Sequence, residues 1–402
     1  MKNAVRLCIL AETFPPVPGG AEVHARMLAS GLNSIGMETF VLTRRCYPDS
    51  PKTESVDGTP TFRLPPVASG RWGKFLMAPF AFFELMCRRQ DYDVVYVCAL
   101  RVLGVPAVAA CRLLGKVCVL RAETNGELSG DYAAAYGRLP LLERAVFKGW
   151  LGLRNLFIKR SNAFVGITEL AASEFKECGI SPEKVFIIPN GIDTSRFYPA
   201  EREERLYLRQ NLGLPPDKTI VVNTCRLVKG KGVEYLLSAW ERVAAERDDA
   251  HLVIVGSGGG EPASCEDELK EFVREHGLSA YVTFTGWTDD VAGYLRASDL
   301  FVFPTEYEGF GLSLAEAMAC GLPVITSGVG GILSIVTDGM DGILVEPKDP
   351  AALFNEIMRV LGNPELARHL GGMAARTALE RYSMKSVAAQ HFELFTDLYE
   401  SR

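Results

Sequence analysis

Short runs of Val, Ile and Leu recur along this 402-residue chain, separated by longer stretches with helical spacing of apolar positions. In the first half the runs are Val5–Leu10, Glu38–Leu42, Val94–Cys98, Val117–Leu120 and Ala163–Ile167. Strands covered on both faces read as nearly unbroken apolar runs rather than alternating ones. Such runs alternating with helices predict a parallel sheet with helices on both sides. The pattern restarts after residue 200, with Ile220–Asn223, His251–Val255, Tyr281–Phe284, Leu300–Phe303, Pro323–Thr326 and Ile343–Val345. The expected fold is α/β: two tandem Rossmann-like, doubly wound domains facing a central cleft. The expected divisions are 1–198 and 199–381, followed by a terminal helix over 382–402. The polar stretch Ala200–Arg205 and the turn Leu214-Pro215-Pro216-Asp217 mark the middle boundary.

Hydrophobic residues make up 48% and charged residues 23%, the values of a globular chain. Disordered, collagen-like and coiled-coil chains are excluded. The ten Cys are scattered with no C-x-x-C, and none of the five His pairs with Cys at zinc-site spacing. Reduced thiols in a cytoplasmic protein, with no resident metal or cofactor, are expected. The first residues read as a buried strand rather than a signal peptide, and no run reaches the roughly 18–20 apolar residues of a membrane-spanning helix. The net charge of −6 hides an asymmetry. Residues 1–196 carry 24 basic and 18 acidic side chains, and residues 197–402 carry 19 and 31. A basic first half suits an anionic partner, while the acidic overall balance argues against nucleic acid.

In open α/β sheets, ligands bind beyond the carboxyl ends of the strands. Gly19-Gly20 follow the first strand at the start of a helix, where free amides can meet a phosphate; a plain turn is the competing reading. Arg226 and Lys231 lie on a glycine-containing loop after the first strand of the second half. They read either as a clamp on a diphosphate or as a solvated basic loop. Val255-Gly256-Ser257-Gly258-Gly259-Gly260-Glu261 fails the dinucleotide fingerprint, because Glu261 stands where its last Gly belongs, and there is no P-loop. Asp91-Tyr92-Asp93 precedes a strand, which is the wrong end for a metal–nucleotide site.

The richest stretch is Pro304–Ile325. A strand ends at Pro304, and a polar loop carries Glu308. Gly309, Phe310, Gly311 and Leu312 then lead into a helix that bears Glu316 and stops at Gly321. Amides at that helix entrance suit an anion. A buried carboxylate on the helix needs hydroxyl or amide partners, which ribose and hexose supply.

These residues resemble the GT-B glycosyltransferases, and more narrowly the family 4 (group 1) enzymes. The match is Glu308-x7-Glu316 within Glu308-Gly-Phe-Gly-Leu, followed by Glu316-Ala-Met-Ala-Cys-Gly-Leu-Pro-Val. It is supported by Pro15-Pro16…Gly19-Gly20-Ala21-Glu22, Ile188-Pro189-Asn190-Gly191-Ile192-Asp193, Arg226…Lys231-Gly232 and Val329-Gly330-Gly331-Ile332, in the family's order over nearly the whole chain. The resemblance implies that Arg226 and Lys231 bind the donor diphosphate. It implies that Glu308 meets the donor sugar or lies near its anomeric carbon. The amides of Gly309–Leu312 line the sugar and diphosphate, Glu316 holds the ribose, and Gly19 and Gly20 close over the phosphates. The resemblance implies that 1–198 binds the acceptor, that 199–381 binds the nucleotide sugar and that the helix over 382–402 crosses back onto the first domain. Glu22, His24, Arg121, Glu123, Glu127 and Asn190 are the candidates for the acceptor side or the cleft, with a plain helix-face position the competing reading for His24. The chain departs from the family pattern at Cys225, where Gly is usual, and at Leu333-Ser334, where Pro-Glu is usual. The stretch Arg121–Glu127 lacks a His that many members carry.

The implied reaction is metal-independent retaining transfer from a UDP-, GDP- or ADP-sugar to a hydroxyl acceptor on a glycan or a lipid-linked or cell-envelope glycan. A GT-B-like epimerase, a phosphorylase with a pyridoxal cofactor, and a non-catalytic sugar-nucleotide binding module are the alternatives. Two basic amphipathic stretches, Arg71–Arg89 and Arg138–Arg160, fit peripheral contact with an anionic membrane on its cytoplasmic face. The second also reads as a helix packed beside the strand at Ala163.

Overall fold

The computed structural model describes residues 5–402 apart from Pro18, 68–72, 132–140 and Pro262, and describes 141–146 by backbone alone. The chain forms two compact units, Met1–Gly191 with Met384–Arg402, and Ile192–Ser383. The sequence placed the divisions at 198/199 and 381/382. The shift has a local cause: Ile192 donates its N–H to the Tyr382 carbonyl and bridges Ser383, tying both passages of chain to the second unit.

The first unit's sheet contains β1 (Leu7–Leu10), β2 (Thr39–Arg44), β3 (Thr53–Val56), β4 (Thr59–Leu64), β5 (Val94–Val97), β6 (Val117–Ala122), β7 (Ala163–Gly166) and β8 (Val185–Ile187), in the order β3-β4-β2-β1-β5-β6-β7-β8. All pairs are parallel except β3 with β4. Every residue of β1, β2, β5, β6 and β7 is buried, as apolar runs predict, and the burial extends to Thr39, Thr43 and Arg44 of β2 and Arg121 of β6. The β3–β4 hairpin was not anticipated. It turns at Asp57-Gly58, where both residues have positive φ (47° and 78°), the requirement of a tight two-residue hairpin turn. The sheet order reverses direction between β1 and β5, which is where such sheets open a crevice.

Helix Met384–Glu400 completes this unit. Val387, Ala388, Leu394 and Phe395 join the apolar cluster of β1 and helix Gly20–Ser34. His391 is fully buried. Its Nδ1 is 2.8 Å from the Val387 carbonyl, and its Nε2 is 3.0 Å from the Tyr96 hydroxyl. A carbonyl can only accept, so Nδ1 carries the proton and Nε2 accepts from Tyr96. Burial pulls His391 down to about 4, which keeps that neutral form.

The second unit's sheet holds β9 (Thr219–Thr224), β10 (Ala250–Val255), β11 (Val282–Gly286), β12 (Leu300–Phe303), β13 (Val324–Ser327) and β14 (Ile343–Val345). Its order is β11-β10-β9-β12-β13-β14, all parallel, and its direction reverses between β9 and β12. Trp240, Leu236 and Leu237 of helix Val233–Glu246 anchor the core against Val221, Leu252 and Ile254.

Candidate active site

The loop after β9 and the loop after β12 meet at the second unit's reversal point. Gly232 (φ 72°) is what lets them meet, since a Cβ there would lie 1.9 Å from the Pro304 carbonyl oxygen. The amide of Glu306 donates to the Gly230 carbonyl at 2.9 Å and adds a second tie. These contacts place Lys231 Nζ 2.7 Å from Glu308 Oε2, with the ammonium 5.8 Å from the centre of the Phe303 ring. The Glu308 carbonyl accepts from the Gly331 amide at 2.9 Å, which fixes the loop from its other side. Glu306 is held by Tyr235 (3.1 Å) and Lys348 (2.7 Å), leaving Glu308 as the carboxylate that meets Lys231.

Gly309 lies beside Glu308, its amide 3.2 Å from Oε1. Phe310 is buried edge-on against Tyr382. Gly311, in the left-handed region, precedes helix Leu312–Ala319. Glu316 lies on that helix, half-buried, and its carboxylate hydrogen-bonds no group among the described residues. Desolvation pushes it up to about 7, and the charge of Arg196 opposes the rise. Among the described residues it is a carboxyl without a hydrogen-bond partner on helix Leu312–Ala319. Arg226 is on the same loop as Lys231, but its Nη1 is 2.9 Å from both carboxylate oxygens of Glu261. Nothing in the sequence linked those two residues, because the glycine loop that carries Glu261 follows a different strand.

In the first unit, the crevice beyond β1, β5 and β6 gathers Glu12, Glu22, Lys74, Arg101 and Glu123. Of these, Glu22 and Glu123 were anticipated. Glu12 could have been found by the same strand-end rule, whereas Lys74 and Arg101 belong to helix starts that no motif marked. Glu22 accepts from the Thr13 hydroxyl, and its Oε2 leaves no room for a side chain on Gly19. A carboxylate of the chain therefore occupies the helix entrance at Gly19 and Gly20. Burial pushes Glu123 up to about 7.

Behind this lining, Arg121 is buried, donates to Asn190 Oδ1, and places Nη1 3.8 Å from Glu123. Glu127 is buried too. It accepts from the amides of Glu123 and Thr124 at 3.2 Å and pairs with Arg101 at 3.6 Å. His24 is fully buried, with the Gly191 amide 3.3 Å from Nδ1. Burial, aided by the charge of Arg121, pushes its pKa well down. Asp93 is committed to Arg6 and Lys116, at 3.1 and 3.3 Å, before the amino end of β5.

Of the two basic stretches, Arg71 and Arg138 lie outside the described residues, as do the side chains of Leu142 and Val146. The described parts expose Phe75, Leu76, Phe80 and Phe83 on helix Gly73–Cys87. They also expose Trp150, Leu153, Leu156 and Phe157 on helix Leu141–Ile158. The second helix buries Leu151, Arg154 and Ile158 instead of the Trp150, Leu153 and Phe157 face.

Residues 204–377 match the family described as Glycosyl transferases group 1, and residues 18–196 match Glycosyltransferase Family 4. D-inositol 3-phosphate glycosyltransferase 1 of Catenulispora acidiphila is 30% identical over 364 residues, covering 85% of this chain and 82% of the relative. The chain belongs to the group 1 glycosyltransferases and is a nucleotide-sugar-dependent enzyme of that class. An uncharacterized glycosyltransferase of Methanocaldococcus jannaschii is 27% identical, covering 97% of this chain and 98% of the relative. The structure of Anabaena HepE in complex with UDP and glucose aligns with a TM-score of 0.74 at 20% identity, covering 97% of this chain and 99% of that one. The fold is that of the GT-B glycosyltransferases.

Proposed function

We propose that this enzyme is a retaining hexosyltransferase that acts without a metal ion, moving a sugar from a nucleoside-diphosphate donor to a hydroxyl of a glycan or lipid-linked glycan. The observation that carries this reading is the Lys231–Glu308 pair, held by two strand-end loops beside the entrance of helix Leu312–Ala319. As the anomeric C–O bond breaks, negative charge grows on the departing diphosphate. A fixed ammonium and free helix amides meet that charge better in the transition state than in the ground state. Arg226 adds a bidentate cation once a diphosphate displaces Glu261. Glu308 bonds sugar hydroxyls and supports the oxocarbenium-like centre. Glu316, with no hydrogen-bond partner among the described residues, is suited to accept from the ribose hydroxyls. The acceptor oxygen attacks from the face the diphosphate leaves, and its proton passes to a phosphate oxygen, so that charge and atoms balance.

The UDP complex of Anabaena HepE supports a uridine nucleotide as the first donor to try. Exposed Phe83, Leu153 and Leu156, with Arg89, Lys148 and Arg160 nearby in sequence, support peripheral contact with an anionic membrane face. Among the described residues, no helix is long and apolar enough to cross a membrane.

The test is a thermal-shift panel of UDP, GDP and ADP, followed by transfer from the matching sugar with excess chelator. Product configuration is read from anomeric proton couplings. An inverted product, or activity abolished by chelator and restored by a divalent cation, overturns the reading.

A further inference from the structure

The loops after β1, β5 and β6 line an open-mouthed cavity of about 240 Å³. That lies below the roughly 300–1,000 Å³ of sites that bury drug-sized ligands, and suits one monosaccharide-sized group. Its polar lining is Glu12, Thr13, Glu22, Lys74, Arg101 and Glu123.

The hydrogen-bonding inventory of this lining is one-sided. Ionised carboxylates only accept; Glu12 and Glu22 face the cavity, joined by Glu123 once the pH exceeds about 7, against two cations. The cations are already engaged: Lys74 Nζ lies 3.9 Å from Glu12, and Arg101 Nε lies 3.6 Å from buried Glu127. Glu22 takes the Thr13 hydroxyl, and among the described residues the Glu123 carboxylate makes only the 3.8 Å ion pair with Arg121. Behind the lining, Arg121 Nε and Nη1 and Glu127 Oε2 are buried with no hydrogen-bond partner among the described residues. A group rich in O–H donors satisfies such a lining. A phosphate or carboxylate would face three carboxylates whose countercharges are already spent.

We infer that this cavity seats the accepting group, and that this group is a pyranose or polyol free of phosphate and carboxylate. The inference rests on the glycosyltransferase reading above and adds the chemical class of the acceptor. The same lining tolerates an amino substituent, because an ammonium would strengthen its contact with Glu12 and Glu22.

The experiment titrates matched probes into the full-length chain at pH 8: methyl α-D-glucopyranoside against its 6-phosphate, and myo-inositol against an inositol monophosphate. Each neutral probe is expected to bind about tenfold or more tightly than its phosphorylated partner. Glu12→Lys is expected to shrink or invert that ratio, and Glu123→Gln to weaken the neutral probes, with thermal unfolding recorded for both variants. The inference is overturned if phosphorylated probes bind as tightly as neutral ones in the parent chain, or if neither kind binds while a nucleoside diphosphate does. Nucleotide binding is measured separately. Its absence would remove the donor reading, while the probe ratio would still decide the chemistry of the cavity.

Discussion

Lys231 Nζ lies 2.7 Å from Glu308 Oε2, which joins the loop after β9 to the loop after β12 through one ion pair. Both side chains are about four-fifths buried, at 19% and 20% exposure. Any diphosphate bound there would share the ammonium with Glu308, so the lysine is positioned before the donor arrives. Replacing Lys231 by Ala is expected to lower kcat/KM by about 10²–10³, the usual loss of one charged transition-state contact. A circular-dichroism melt should show the fold retained. Unchanged turnover would remove Lys231 from the diphosphate role.

Arg226 and Glu261 form an exposed pair, which is worth about 0.2–1 kcal/mol. Glu261→Gln should therefore tighten nucleoside-diphosphate binding by at most about fivefold, as read by calorimetry. Weaker binding in the variant would mean that Glu261 orients Arg226 instead of competing for it.

Glu316 is raised on folding from 4.5 to about 7 by desolvation. Below 4.5 both folded and unfolded chains carry it protonated, and it costs no stability. As pH climbs from 4.5 towards 7, the unfolded chain releases the proton first and stability falls. Glu316→Gln should lack that fall, so the variant gains on the parent between pH 4 and pH 8 in melting experiments. A hydroxyl-bearing ligand on Glu316 favours the ionised form. Nucleotide binding near pH 6 is then expected to release protons, seen as a buffer-dependent heat.

Phe395 is fully buried against Tyr96, with ring centroids 5.3 Å apart. Phe395→Ala is expected to destabilise the first unit by about 3–5 kcal/mol. Tyr96→Phe, which strips the hydroxyl from His391 Nε2, should cost about 1–3 kcal/mol by leaving a buried acceptor unpaired. Urea unfolding followed through the first unit's fluorescence checks both.

Leu153 and Leu156 are 60% and 65% exposed on helix Leu141–Ile158. Changing both to Ser should lower partition onto vesicles containing phosphatidylglycerol by about tenfold or more, since burying one Leu side chain contributes about 1.5–3 kcal/mol. Equal sedimentation of parent and double variant would dismiss this face as a lipid contact.

The strands that lie in the middle of each sheet were legible because burial on both faces forces continuous apolar runs, as in Val94–Val97 and Leu300–Phe303. Edge elements carry no such requirement. Thr53–Val56 alternates between exposed and half-buried residues, and only the Asp57-Gly58 turn signals it. Val185–Ile187 is three residues long and nowhere fully buried. Glu308 and Gly311 were readable because a strand end, a glycine and a helix start follow one another along the chain. The Arg226–Glu261 pair and the Lys74–Glu12 pair join segments 35 and 62 residues apart, and no local rule couples such positions. His24 reads in the sequence equally as an acceptor contact or a helix-face residue; helix Gly20–Ser34 turns it inward beneath Gly191.

Helix Met384–Glu400 supplies part of the first unit's interior although more than 190 residues of the second unit intervene. During synthesis, the opening half of the polypeptide must wait for its last turns before its hydrophobic interior is sealed. The second unit is one contiguous piece of sequence, whereas the first cannot be excised as one without losing part of its own packing.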